Sequence, residues 1–217
     1  MNHRKLFPVG TAVVGLAAVV GSIALASQSQ DRKPADQQQM QLPPGWTQED
    51  MQACIEAGTP GEMHKFLAES AGEWRGVNKM WMAPDTEAMT SESSAVITPI
   101  MDGRFVKMEM KGEMPGGMGP FNGFAIYGYD NVSKKFVASW IDNMGTGIMQ
   151  GTGERSSDGT TLTWNYTYNC PITKKEVTMR EVETITGPNS RRIEGYNTDP
   201  KSGKEYKMMS IELTRKS

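Results

Sequence analysis

The chain has 217 residues and a formal net charge of -2, with 37% hydrophobic and 22% charged residues, a size that fits one folded domain or two small ones. The near-neutral charge and the pI of about 5.8 exclude a general nucleic-acid-binding protein, which is normally basic. With only two Cys and two His, a zinc-finger array, a multi-cysteine cluster site and a disulfide-framework miniprotein are excluded as well. Met and Gly are abundant by contrast, with 17 and 23 residues.

The first 26 residues have the pattern of an export signal. A short positive segment containing Arg4 and Lys5 precedes the uncharged apolar run Val9–Leu25, and Ala24-Leu25-Ala26 matches a signal-peptidase site. We therefore predict a signal peptide over residues 1–26 and a protein that is exported, either periplasmic or secreted. The alternative is an uncleaved anchor, because the apolar run approaches the ~20 residues that span a bilayer; only then would a membrane be a partner.

A tether and two short helices are predicted next. Residues 27–45 are rich in Gln and Pro and cannot bury enough apolar surface to fold, which predicts a disordered tether. Thr47 and Asp50 have the spacing of a capping box at the start of a first helix. A second helix is predicted to begin with Thr59 as N-cap and proline at its first position, and to end before Gly72.

From Glu73 onward, apolar and polar residues alternate and turn signals recur at regular intervals, a pattern typical of short antiparallel strands. Runs rich in β-branched and aromatic residues lie between the turns: Phe121–Tyr129, Lys135–Ile141, Leu162–Tyr168, Val177–Ile185 and Tyr206–Leu213. Closure into a barrel would leave no long strand edge exposed. Over residues 46–217 we predict an all-β, antiparallel barrel of about ten strands, with one or two short N-terminal helices.

At Gly72-x-Trp74 the sequence resembles the lipocalin and calycin superfamily, in which a basic residue of the last strand, here Arg215, packs over that Trp. The order of several short motifs resembles more closely the DUF1579 family of uncharacterised bacterial proteins. These motifs are His64-x-x-Leu67, Asp102-Gly103-Arg104-Phe105, Gly128-Tyr129-Asp130, Trp140-Ile141-Asp142 and Gly203-Lys204-Glu205. The resemblance covers roughly Pro60–Lys216 and implies a lipocalin-like barrel closed by Trp74 and Arg215. The family has no established activity.

Catalytic and metal sites have few candidate residues. His64 is the only His left after signal cleavage, and no Gly-x-Ser-x-Gly nucleophile motif is present. We interpret His64 as a packing residue near the barrel mouth, and we predict no catalytic residue and no cofactor. An enzyme would need a pair of inward carboxylates or a carboxylate beside His64. Four strand charges whose direction the sequence leaves open are Arg104, Glu109, Arg180 and Glu181; any that points inward would orient a polar group of a ligand.

Strand alternation predicts which apolar side chains share a face. We predict that a cavity inside the barrel is lined by Trp74, Met80, Met108, Met110, Trp140, Trp164 and Tyr166. Methionine suits such a lining because its side chain adapts to varied shapes. Met114 and Met118 are predicted to edge a portal formed by the loop Gly112–Pro120. The alternative for Met108, Met110, Met114 and Met118 is a Cu(I) site, since thioethers are soft ligands.

Two further patterns concern shape and redox state. Gly145, Gly147, Gly151 and Gly153 fall on one parity, which indicates strong curvature or a close approach of neighbouring groups. Cys54 and Cys170 would be able to pair in an oxidising compartment, or they are two separate small hydrophobic residues; the sequence leaves both open.

The function predicted from these observations is non-enzymatic binding of a small, mostly apolar molecule inside the barrel. Cu(I) binding is one alternative, and a packed barrel that serves as an interaction module without a ligand is another. The sequence gives no information on ligand identity or oligomeric state.

Overall fold

The computed structural model describes residues 42–216, so the predicted signal peptide and most of the predicted tether lie outside the described residues. The described chain forms a closed barrel of ten strands, each antiparallel to its neighbours. The strands are β1 (Gly72–Met80), β2 (Met89–Ile100), β3 (Phe105–Glu113), β4 (Pro120–Asp130), β5 (Lys135–Asp142), β6 (Met149–Arg155), β7 (Thr161–Asn169), β8 (Glu176–Gly187), β9 (Ser190–Thr198) and β10 (Glu205–Arg215). This confirms the predicted fold class. Within the same residues, no helix has both the length and the apolar character needed to cross a membrane.

Two helices precede the barrel, α1 (Gln48–Gly58) and α2 (Glu62–Ala68). Thr47 and Asp50 form the capping box predicted for α1, with the Asp50 N–H donating to Thr47 Oγ1 over 3.1 Å. The predicted start of α2 is wrong by two residues, because Thr59 ends α1 and its hydroxyl donates to the Ile55 carbonyl instead of capping α2. Gly61 is the N-cap of α2, and its N–H donates to Nδ1 of His64 over 3.0 Å.

The barrel closes where β1 pairs with β10, and Trp74 lies opposite Arg215 in that register. The Arg215 guanidinium carbon lies 4.4 Å from the centre of the Trp74 ring. The guanidinium also donates to the carbonyl oxygens of Glu69 and Ala71, while Trp74 Nε1 donates to the Ser70 carbonyl over 2.9 Å. The pair that the family resemblance implied therefore joins the last strand to both the first strand and the segment after α2.

One end of the barrel is filled by α2, which packs against β3 and β4. Phe66 and Leu67 of α2 are buried against side chains from the barrel interior, including Val106, Phe136 and Trp164. The Phe66 and Phe136 rings meet edge to face at 5.9 Å, and the Arg155 guanidinium carbon lies 3.9 Å from the centre of the Phe66 ring. We call this end, with α2 and the side chains packed on it, the closed half.

The loop at the opposite end is shorter than predicted. Gly112 pairs with Phe121 and Glu113 with Pro120, so β3 and β4 extend into the predicted loop Gly112–Pro120. The remaining residues contain a short 3-10 turn, Pro115–Gly117, in which Gly116 has a φ of 73°. Glycine permits strand pairing here although it does not favour it.

Candidate functional site

A cavity of about 230 Å³ occupies the other end of the barrel, which we call the open half. It lies where β1, β3 and β5 end and where β10 begins, and the β3–β4 connection lies at its rim. Ligand pockets for drug-sized molecules usually measure ~300–1,000 Å³, so this cavity suits a small ligand. Since α2 fills the other end, the open half is also the route by which a ligand would enter.

The cavity wall is dominated by thioethers and aromatic rings. Eight of the 17 methionines line it: Met80, Met108, Met110, Met114, Met149, Met179, Met208 and Met209. Phe121, Tyr127, Trp140 and Tyr166 contribute aromatic surface, and the Phe121 and Trp140 rings stack at 6.2 Å. Such a wall is apolar and able to change shape, because methionine has three freely rotating side-chain bonds.

Five of the seven predicted lining residues lie in the wall: Met80, Met108, Met110, Trp140 and Tyr166. Trp74 and Trp164 are buried in the barrel interior, but neither belongs to the cavity lining. Trp164 is packed among Phe136, Tyr127 and Tyr166, and Trp74 is covered by Arg215. Alternation showed the direction of these side chains, but the position along the barrel axis decides whether an inward residue meets the cavity or the closed half.

Of the two predicted portal residues, Met114 and Met118, only Met114 lines the cavity. Met114 and Pro115 line the mouth of the cavity, whereas Met118 is 47% exposed and lies outside the lining. The four thioethers of the predicted Cu(I) alternative therefore do not share one site, although Met108, Met110 and Met114 do.

Gly151 and Gly153 make room for two aromatic rings. A Cβ at Gly151 would lie 2.5 Å from Cε1 of Tyr166, and one at Gly153 would lie 2.8 Å from Cε3 of Trp164. The pairs are directly opposite each other in the β6–β7 register. The close approach predicted for these glycines thus has a specific cause, while Gly145 and Gly147 lie in the preceding loop.

Sequence alternation did not reveal that two consecutive residues, Met208 and Met209, both line the cavity. The pairing of β10 with β9 shifts between Lys207 and Met209. A bulge of this kind places two residues opposite one on the neighbouring strand and re-aims a side chain. A bulge has no reliable signature in this stretch of sequence, so the sequence does not predict that both residues line the cavity.

Glu181 is a partly buried acidic residue of the cavity wall. It lines the cavity from β8 and lies opposite the inward Trp164 and Gly195 in the strand register. Burial, with a further contribution from Glu183, raises the pKa of Glu181 to about 8. The other three charges of uncertain direction, Arg104, Glu109 and Arg180, form ion pairs with Asp102, Lys107 and Glu205 and are more exposed. The prediction that Arg104 lies within a strand is wrong, because it lies in the turn between β2 and β3.

Two tyrosines of the wall, Tyr127 and Tyr166, interact with each other and electrostatically with Glu181. Burial raises the pKa of both Tyr127 and Tyr166, and the negative charge of Glu181 adds to each increase. Both hydroxyls therefore stay protonated well above neutral pH. Nearer the mouth, Trp140 Nε1 donates to Asp142 over 2.8 Å, which fixes the indole in the wall.

His64 and the two cysteines lie away from the cavity lining. His64 is buried, its Nδ1 accepts the Gly61 N–H, and its ring meets Tyr129 edge to face at 5.9 Å. It therefore stabilises α2 at the closed half, not at the mouth. Cys54 is exposed on α1 and Cys170 is buried, and both thiols are free.

Comparison with known proteins identifies relatives by family and by fold. The family model of DUF1579, a family described as a protein of unknown function, matches residues 59–215 of this chain. No curated protein matches the chain. The structure is similar to the S-type phycobiliprotein lyase CPES from Guillardia theta, with a TM-score of 0.53, 12% identity, and coverage of 76% of this chain and 97% of that one. It is also similar to Rv2717c from M. tuberculosis, with a TM-score of 0.54, 12% identity, and coverage of 73% and 100%. At these identities the likeness shows the fold alone.

Proposed function

We propose that this chain, which belongs to the DUF1579 family, binds a small, mostly apolar molecule in the open half of its barrel. The observation that carries the proposal is the cavity of about 230 Å³, blind at one end and walled by eight methionines and four aromatic residues. A well-formed apolar cavity with a few polar groups is the usual form of a small-molecule site. Packing the same strands to the density of the closed half would leave no such space.

Burial of apolar surface would drive binding. Each square ångström of apolar surface removed from water contributes roughly 25 cal/mol, and a ligand enclosed by this wall loses most of its contact with water. The polar residues of the lining, which include Glu181, Tyr127 and Tyr166, would orient the ligand without contributing most of the affinity. Non-enzymatic binding is the function that this arrangement supports best.

The test is a titration with the uncharged naphthalene dye prodan, whose fluorescence increases in apolar surroundings. Ala95 lines the cavity, so Ala95→Leu should fill part of it and weaken binding at least tenfold. Val96 is the next residue on β2 and is 43% exposed on the outer surface, so Val96→Leu is the matched control and should bind as the wild type does. Absence of dye binding by the folded wild-type protein, or equal binding by both variants, would overturn the proposal.

A second candidate, Cu(I) binding, is favoured by one observation: Met108, Met110 and Met114 face the same cavity. Thioethers are among the ligands that select Cu(I). A titration with Cu(I) under reducing conditions should then lose affinity in Met108→Leu/Met110→Leu and keep it in Met118→Leu, because Met118 is outside the lining. If the double variant binds copper as the wild type does, this candidate is eliminated.

The proposed site of action is outside the cytoplasm. The support is the signal-like pattern of residues 1–26, with a positive start, an apolar run and Ala24-Leu25-Ala26. N-terminal sequencing of the protein from its natural source should begin at Ser27. A mature chain that still begins at Met1 would favour the anchor alternative in a membrane fraction and contradict export in a cytoplasmic one.

A further inference from the structure

The interior of the barrel contains two glutamates on one strand, and their surroundings differ. Glu183 is paired with Arg191, with 2.5 Å between Oε1 and Nη1, and both side chains are largely buried. Glu181 is two residues earlier on β8 and therefore on the same face. Among the described residues, no ion pair includes Glu181, and no hydrogen bond or positive group offsets its burial.

Glu181 is partly buried in the apolar wall. A carboxyl withdrawn from water without a partner is costly, because a polar group inside a protein normally forms a hydrogen bond or an ion pair. Trp164 on β7 and Gly195 on β9 lie opposite Glu181 in the register, and the titratable groups that interact with it are Tyr166 on β7, Tyr127 on β4 and Glu183 on its own strand. Arg191 on β9 lies opposite Ile185 and is already engaged by Glu183. The cavity is therefore the one side from which a counter-charge for Glu181 can come.

The rest of the wall favours a positive group. The charged lining residues are Glu113, Asp142 and Glu181 on the acidic side and Lys79 alone on the basic side, and Lys79 is exposed at the rim. The aromatic rings of Tyr127, Trp140 and Tyr166 add to this preference, since the faces of such rings attract cations within about 6 Å. The thioethers that cover the remaining wall suit the apolar part of a ligand.

We propose that Glu181 is the polar anchor of the cavity and that the ligand is a small apolar molecule carrying one protonated amine. This inference rests on the proposed function, because it assigns the ligand class of the same cavity. The amine enters as an ammonium ion, Glu181 releases its proton to solvent, and the ammonium then donates hydrogen bonds to the carboxylate. In the empty cavity the pKa of about 8 keeps Glu181 protonated at neutral pH, so proton release must accompany binding at pH 7.

The experiment compares 2-phenylethylamine with 2-phenylethanol, two probes of nearly equal shape of which only the first is charged. Isothermal titration calorimetry of the wild-type protein at pH 7 should show that the amine binds at least tenfold more tightly than the alcohol. Repeating the amine titration in buffers with different ionisation enthalpies should show release of close to one proton. The alcohol should release none.

The variant test uses Glu181→Gln, which has nearly the same shape but no charge. It should weaken the amine at least tenfold and leave the alcohol within about threefold of the wild type. Glu109→Gln is the matched control, because Glu109 lies on the outer surface in an ion pair with Lys107, and it should change neither probe. Proton release by the wild type is measured without any variant, so the inference stays testable if Glu181→Gln does not fold.

The outcomes separate this inference from the proposed function. If prodan and the alcohol bind but the amine binds no more tightly and releases no proton, the cavity is a binding site and the amine assignment is wrong. The same conclusion follows if Glu181→Gln binds the amine as the wild type does. If prodan and both probes fail to bind the folded protein, the proposed function and this inference fail together.

Discussion

The closed and open halves are built from the same ten strands, but their interior side chains differ in type and in how completely they fill the space. In the closed half, Phe66 from α2 meets Phe136, and Trp164 is buried with 1% exposure. In the open half, unbranched methionines surround a space that no side chain fills. Rigid aromatic and branched groups fix one packing arrangement, whereas thioethers tolerate several. The difference indicates that stability is concentrated at one end so that the other can remain hollow.

The largest expected effect tests whether stability is indeed concentrated in the closed half. Trp164→Ala should lower the free energy of unfolding by about 3–5 kcal/mol, because it removes a buried ring and leaves a void. Trp140→Ala in the open half should cost about 1–2 kcal/mol, since Trp140 is only partly buried at the cavity wall. Denaturation in urea at pH 7 measures both. Equal losses in the two variants would contradict the comparison.

The pH dependence of stability should reveal the interior charge of the open half. Folding raises the pKa of Glu181 from 4.5 to about 8, so its protonated form stabilises the folded state. That contribution is fully present below about pH 4.5 and is lost as the pH rises through about 8. Relative to Glu181→Gln, the wild type should lose about 2–4 kcal/mol of unfolding free energy between pH 5 and pH 9.

Urea denaturation of both proteins across this pH range provides the measurement, and Glu109→Gln, on the outer surface, serves as the control. If the wild type and Glu181→Gln keep a constant difference in unfolding free energy from pH 5 to pH 9, then Glu181 does not face an apolar interior.

A smaller effect is expected at the closure beside the closed half. Arg215→Leu removes the hydrogen bonds to the Glu69 and Ala71 carbonyls and the contact with the Trp74 ring. Hydrogen bonds of a charged group to backbone oxygens each contribute about 1.5–3 kcal/mol, and Arg215 is partly exposed, so a loss of about 2 kcal/mol is expected. Thermal unfolding followed by circular dichroism measures it, with Arg192→Leu, on the outer surface of β9, as the control. A loss no greater than that of the control would show that Arg215 does not secure the closure.

The smallest effect on stability is expected for conservative changes in the cavity wall. Met149→Leu keeps the volume and should alter the free energy of unfolding by less than about 1.5 kcal/mol. Prodan affinity should nevertheless change more than in Met118→Leu, because Met149 lines the cavity and Met118 does not. If Met149→Leu proves as costly as a substitution in the closed half, the wall is packed as tightly as the core.

The fold was predictable because its signals are local. Turn residues and strict alternation along segments such as Leu162–Tyr168 predict strands directly. The family resemblance at Gly72-x-Trp74 and Arg215 also predicts which residues pack together where the barrel closes. Inward direction was predictable for Met108 and Met110 for the same reason. The sequence does not give the position of each inward residue along the barrel axis. That position places Trp164 in the closed half and Tyr166, two residues later on β7, at the cavity wall.

The remaining differences arise from interactions between segments. The β10 bulge that turns Met208 and Met209 to one face depends on pairing with β9. The inward direction of Glu181 follows from the register of β8 against Trp164, and a strand that alternates charges on both faces does not indicate which face is buried. The role of His64 as a cap depends on the start of α2 at Glu62, which the sequence does not specify.

The pairing of β1 with β10 also has a consequence for the order of folding. Within residues 42–216, each of the other pairings joins strands that follow each other in the chain, whereas Arg215 reaches Ala71 from 144 residues away. Hairpins between adjacent strands cost little loop entropy, while closing a loop of this length costs about 4 kcal/mol before any contact repays it. We therefore expect the hairpins to form early and β1 to pair with β10 last. The β1–β10 pairing is then also the place where we expect the barrel to open first when the protein begins to unfold.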